Sequence, residues 1–120
     1  LADFTGQLVS YGLRQAIGRP RPPEIYAEPK ALVHVPHDGS FPSGHATSSF
    51  ACATTLAFFA PRAAPLFLVL AAAIAWSRVY VGVHYPLDVL GGAALGVAIA
   101  IALRWLVTGL RRSRRATPAS

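Results

Sequence analysis

The sequence predicts an all-α transmembrane helical bundle of about four helices. Three observations carry this. Hydrophobic residues make up 53% of the 120 residues and charged residues only 13%, with a mean hydropathy of +0.44, which is far from the balance of an ordinary soluble domain. The runs Ala63–Trp76 and Val89–Leu103 contain no charged residue at all. Prolines and glycines fall between the apolar runs, where they end helices. The length fits one domain over residues 1–120.

In chain order, Ala2–Gly18 reads as a helix of mixed polarity, with Phe4, Leu8, Tyr11 and Ile17 among its apolar positions. Asp3, Thr5, Gln7 and Ser10 make it a poor lipid-facing span, so packing against other helices is expected. The connection Arg19–Phe41 carries Pro20, Pro22, Pro23, Pro29 and Pro36 and cannot hold a long helix. A connection of this length in a compact unit is either a binding loop or a mobile linker. Ser43 can cap a helix from Gly44 to Ala60, where Pro61 stops it. Its Thr47, Ser48, Ser49, Thr54 and Thr55 suit close packing between helices in a membrane. Helices over Ala63–Val81 and Leu87–Leu110 follow, reaching roughly 28 and 36 Å at about 1.5 Å per residue, enough to cross a hydrocarbon core of about 30 Å. Gly92 and Gly96 give the last one a small-residue face for close approach.

The net charge of +6 on so apolar a chain points to anionic lipid or phosphate as partner. No basic stripe interleaved with aromatics is present, which argues against nucleic acid. Cys52 is the single cysteine, so an internal disulfide and a multi-cysteine metal site are excluded. His34, His37 and Asp38 could be taken for a metal cluster, but no helix fixes their geometry and spacing alone is a weak signal. With no methionine in the sequence, Leu1 is not an initiator, and the chain is expected to be a fragment or a processed product.

The chemistry concentrates in Ser77–Asp88. His84 and Asp88 lie four apart, so a helix starting near His84 would place them on one face. A carboxylate there can take the proton of one imidazole nitrogen, which leaves the lone pair of the other free to attack. Arg78 supplies a planar fork of donors suited to phosphate oxygens. Two further groups join it: Pro42-Ser43-Gly44-His45, and Arg14 followed after six residues by Arg21-Pro22.

These three groups, in this order, resemble the signature motifs of the phosphatidic acid phosphatase type 2 superfamily. That family includes lipid phosphatases, undecaprenyl-diphosphate phosphatases, bacterial acid phosphatases and vanadium haloperoxidases. The first motif departs from the family pattern, which has lysine where this chain has Arg14. Pairing Arg14 with Arg21 keeps the family spacing; using Arg19 would put Gly12 at the basic position, so Arg19 becomes a neighbour at the mouth. The resemblance implies that Arg14, Arg21 and Arg78 hold the phosphate, with Ser43 and the Gly44 backbone N–H adding donors at a helix start. It implies that His84 is the nucleophile, Asp88 its orienter, and His45 the acid and then the base. Arginines would serve where other phosphatases use magnesium, so neither a metal nor another cofactor is expected. The expected substrate is a lipid phosphate monoester or diphosphate. Relatives with this motif order carry further membrane helices before the first motif, so the resemblance implies that the four helices are the catalytic core of a larger bundle.

The expected location is a bacterial inner membrane. Tracing the helices puts Arg62, Arg104, Arg111, Arg112, Arg114 and Arg115 at one face, and Arg14, Arg19, Arg21, Lys30 and Arg78 at the other. That is six basic residues against five. With Arg14, Arg21 and Arg78 set aside as anion ligands, the positive-inside rule makes 111–120 a solvated, frayed cytoplasmic tail and 19–41 an extracytoplasmic loop. The site then faces the periplasm or exterior. Two other functions share the motifs: a vanadate-dependent haloperoxidase, for which the chain is short and apolar, and a membrane fragment that binds phosphate without turning it over.

Overall fold

The computed structural model describes residues 1–22, 32 and 39–117. His34, His37, Asp38 and most of the 19–41 connection lie outside the described residues. Among those described there are helices and no strand: α1 (Ala2–Ile17), α2 (Gly44–Phe59), a 3₁₀ turn (Pro61–Ala63), α3 (Ala64–Tyr80) and α4 (Pro86–Ala116). Helix α2 is the hub and packs on α1, α3 and α4, while α1 and α3 each also touch α4. The all-α bundle expected from the sequence is the fold observed.

Helix ends follow local chemistry. Gly18 takes a left-handed conformation (φ 62°) that ends α1 and donates its N–H to the Arg14 carbonyl at 2.9 Å. Ser43 caps α2, accepting from the Ala46 N–H at 3.4 Å. Tyr85 precedes α4, whose first residue is Pro86, a position where the missing N–H costs nothing.

The packing is inside out compared with a soluble bundle. Buried apolar residues are mostly small (Ala46, Ala51, Ala53, Ala71, Ala75, Ala100), whereas Leu66, Val69, Leu70, Trp76, Leu90 and Trp105 face outward. Small residues at helix contacts with large apolar ones outside is the distribution of membrane helices, where dispersion and close approach replace hydrophobic exclusion. Helix α1 shows it most clearly. Gly6, Ser10 and Arg14, spaced four apart, face inward, and Phe4, Leu8, Tyr11 and Ile17 are exposed. The sequence expectation of a packing helix holds, but the polar ridge does the packing and the apolar one faces out.

Contact between α2 and α4 depends on Gly92 and Gly96. A Cβ on Gly92 would meet the Ser43 carbonyl oxygen at 2.5 Å, and one on Gly96 would collide with the Thr47 carbonyl. Thr47 and Thr55 turn their hydroxyls back onto the Ser43 and Ala51 carbonyls, at 2.9 and 2.8 Å, so their polar atoms are satisfied within the helix.

The stretches Pro61–Tyr80 and Pro86–Ala116 are long and apolar enough to cross a membrane. Helix α4 runs six residues beyond Leu110, so Arg111–Ala116, expected as a frayed tail, is helical and exposed. The alternating helix directions bring the C-termini of α1 and α3 and the N-termini of α2 and α4 to one end of the bundle.

Candidate active site

At that end, Arg14 comes from the last turn of α1, Gly44 and His45 from the first turn of α2, and Arg78 from the last turn of α3. Arg21 follows α1, and His84 lies in the turn before α4. With Gln7 they line one cavity of about 130 Å³. A larger cavity of about 380 Å³ at the opposite end is walled by apolar residues such as Phe58, Phe59, Leu103 and Val107 and holds none of these groups.

A helix starting near His84 would carry His84 and Asp88 one turn apart on a shared face. The geometry differs: α4 starts at Pro86, so His84 stands outside the helix and Asp88 sits in its first turn. Gly82, with φ 84°, makes the turn that swings His84 inward. The two side chains still meet, with His84 Nδ1 3.6 Å from Asp88 Oδ2. That is an electrostatic contact, longer than a hydrogen bond. Asp88 is wholly buried. Its Oδ2 accepts the Tyr85 N–H at 2.8 Å, and its Oδ1 accepts from Arg19 at 3.0 Å. A buried carboxylate of this kind is tolerated because both oxygens have partners.

The other imidazole nitrogen, Nε2, faces Arg21. The Arg21 Nη1 group lies 3.1 Å from it and also donates to the Val83 carbonyl at 3.2 Å, and Nη2 donates to the Gly39 carbonyl at 3.3 Å. A guanidinium can only donate, so Nε2 accepts and the ring proton belongs on Nδ1, toward Asp88. Burial pushes the His84 imidazole below its ordinary value; the Asp88 carboxylate pulls it back, and Arg21 and Arg78 add to the lowering. A neutral ring with a lone pair on Nε2 is the outcome.

Arg14 is buried against α2, and a Cβ on Gly44 would lie 2.6 Å from its Nη1. Glycine at 44 is what lets the guanidinium enter. Ser43 is fully buried behind the cavity: its hydroxyl caps α2 and its N–H donates to the Asp88 carbonyl at 3.0 Å, tying the starts of α2 and α4 together. His45 is exposed, unlike His84, and reaches the cavity from its open side.

Two residues at the site had weaker signals in the sequence. Gln7 stands seven before Arg14, two turns along the same face; that spacing was the available clue. It donates to the Ser48 hydroxyl at 3.3 Å. Arg19, placed at the mouth by the sequence, instead reaches in to Asp88 and stacks 4.5 Å from the Tyr85 ring. Among the described residues, no three His, Cys, Asp or Glu gather as metal ligands.

The chain matches the PAP2 superfamily over residues 2–112. It is 38% identical over 98 residues to the lipid A 1-phosphatase of Rhizobium etli, covering 78% of this chain and 41% of that one. Among solved structures it resembles LpxE of Aquifex aeolicus (TM-score 0.78, 31% identity, 85% of this chain and 62% of that one). It also resembles the transmembrane PAP2-type phosphatidylglycerolphosphate phosphatase of Bacillus subtilis (TM-score 0.67, 31% identity, 93% and 56%). The chain spans between 34% and 61% of the length of the curated relatives it matches. The likeness to a transmembrane neighbour and the two long apolar helices make this an integral membrane protein. Fold and family match agree: the chain belongs to the PAP2 superfamily, the phosphatidic acid phosphatase type 2 family.

Proposed function

We propose that the chain is the catalytic core of a metal-independent phosphatase that hydrolyses a lipid phosphate monoester or diphosphate through a phosphohistidine. The observation that carries this is the convergence of Arg14, Arg21, Arg78, His45 and His84 on one cavity at one end of a membrane bundle. So many cationic groups at a membrane protein's helix ends are costly unless an anion binds among them.

A phosphoryl group entering the cavity takes up the guanidinium N–H groups with its oxygens. Arg21 then turns from His84 Nε2 to the phosphate, which uncovers the lone pair for in-line attack on phosphorus. The N–P bond forms as the bond to the leaving oxygen breaks, and protonated His45 on the open side gives that oxygen its proton. The three guanidinium groups balance the charge spread over the equatorial oxygens of the transition state. Neutral His45 next takes a proton from water, the hydroxide oxygen attacks phosphorus, and the N–P bond breaks to release phosphate and restore His84. Asp88 faces the Nδ1 proton throughout and stabilises the positive charge that the ring gains on attack.

The site lies opposite the end carrying Arg62 and Arg104–Arg115, and the positive-inside rule supports an extracytoplasmic position for it. The test is phosphate release from phosphatidate, phosphatidylglycerol phosphate and undecaprenyl diphosphate by the full-length protein in detergent with chelator. Turnover of at least one is expected. Turnover that requires a divalent metal, or none on any of the three, would overturn the proposal.

A further inference from the structure

The motif residues do not account for how the Asp88 carboxylate is held. Its Oδ1 is engaged by Arg19 at 3.0 Å and its Oδ2 by the Tyr85 N–H at 2.8 Å. These two bonds fix the carboxylate plane and leave the remaining acceptor direction of Oδ2 toward His84 Nδ1, 3.6 Å away. Arg19 is itself held in place: it stacks over the Tyr85 ring at 4.5 Å, and its carbonyl accepts the Ser40 N–H at 2.7 Å. Its side chain is 33% exposed, whereas that of Asp88 is 0% exposed. A partly solvated guanidinium therefore reaches inward to a carboxylate that water does not touch. Arg19 does not line the phosphate cavity.

We propose that Arg19 is a positioning residue for the reaction: by clamping Asp88 Oδ1 against the Tyr85 ring, it aims Oδ2 at His84 and tempers the negative charge that His84 faces. The inference rests on the reading of His84 as nucleophile. An unclamped carboxylate could rotate, and the imidazole whose tautomer it sets would lose its orientation. It would also present its full charge to His84 and favour the protonated ring, which has no lone pair to attack with. The groups facing the pair are few: Arg19, the Tyr85 N–H and Ser40 at Asp88, and Arg21, Arg78 and, across the cavity, His45 around His84.

The test uses the full-length protein in detergent micelles with ¹³C-labelled histidine, assigning His84 by its loss in His84→Gln. Arg19→Gln is expected to move the His84 titration upward. It is expected to lower kcat by about tenfold to a hundredfold, the scale on which misplacing reacting groups by about 1 Å acts, with KM little changed. Arg19→Lys keeps the charge but loses the planar stack; it is expected to keep the titration near its wild-type position and recover part of kcat. A lower melting temperature with the His84 titration unmoved would show a merely structural residue and overturn the proposal. So would a loss confined to KM, which would make Arg19 a substrate contact. If wild-type protein releases no phosphate, the catalytic reading fails on its own, and the titration still decides whether Arg19 tempers the charge on His84. Should Arg19→Gln not fold, an Arg19→Lys protein with wild-type kcat at every pH would equally overturn it.

Discussion

Arg21 Nη1 lies 3.1 Å from His84 Nε2, and both side chains are buried. The residue read as an anion clamp therefore covers the nitrogen read as the nucleophile, and an arriving phosphate must draw the guanidinium away to uncover it. Arg21→Lys keeps the charge but loses the fork that spans Val83, Gly39 and His84 together. It is expected to raise KM and lower kcat/KM by about tenfold to a hundredfold, the scale of 1.4–2.7 kcal/mol for lost charge-assisted hydrogen bonds. Steady-state kinetics on phosphatidate checks this; unchanged kcat/KM would contradict it.

The pH profile follows from the environment of His84. Burial and the nearby guanidinium groups hold its imidazole below the ordinary 6.5. In the proposed mechanism the neutral form attacks, and a lowered value keeps the ring neutral into more acid solution. The acid limb of kcat/KM that reports His84 is therefore expected below pH 6.5, with activity lost as pH falls through it. An acid limb that moves to higher pH in Arg19→Gln would assign it to His84, and a wild-type limb at or above pH 6.5 would contradict the assignment.

Gly44 and Gly96 separate catalysis from stability. A Cβ on Gly44 meets the far end of the Arg14 side chain, which can move aside. Gly44→Ala is expected to leave the melting temperature close to wild type and lower kcat/KM by about tenfold or more, because the guanidinium is displaced from the phosphate.

A Cβ on Gly96 meets the Thr47 carbonyl and the Ala51 backbone nitrogen, neither of which can give way without parting α2 from α4. Gly96→Ala is expected to destabilise the bundle by about 1–3 kcal/mol, the usual range for overpacking. Activity per folded molecule should survive. Thermal unfolding in detergent with parallel activity assays distinguishes the two glycines.

Much of this was legible in the sequence because helices translate spacing into direction. Apolar runs punctuated by Gly18, Pro61 and Pro86 marked out the helices, and their alternating directions alone sent Arg14, Gly44, Arg78 and His84 to one end. The Gly92–Gly96 face was legible for the same reason. Turn geometry was not. A helix begun near His84 would carry His84 and Asp88 together, whereas α4 begins at Pro86, two residues past His84, with Tyr85 before it. Nor does any periodicity link Arg19 to Asp88, 69 positions away. The outward face of α1 was missed because a membrane rewards close packing of Gly6 and Ser10 over burial of Phe4 and Leu8.

The covalent intermediate is the claim on which the account turns. Rapid-quench mixing of ³²P-labelled phosphatidate with the full-length protein and chelator should trap label that is stable in alkali and labile in acid, on the peptide containing His84. Label should be absent from His84→Ala, which should lose more than about a thousandfold in kcat. Full turnover by His84→Ala, or phosphate released with no protein-bound label at any time, would contradict it.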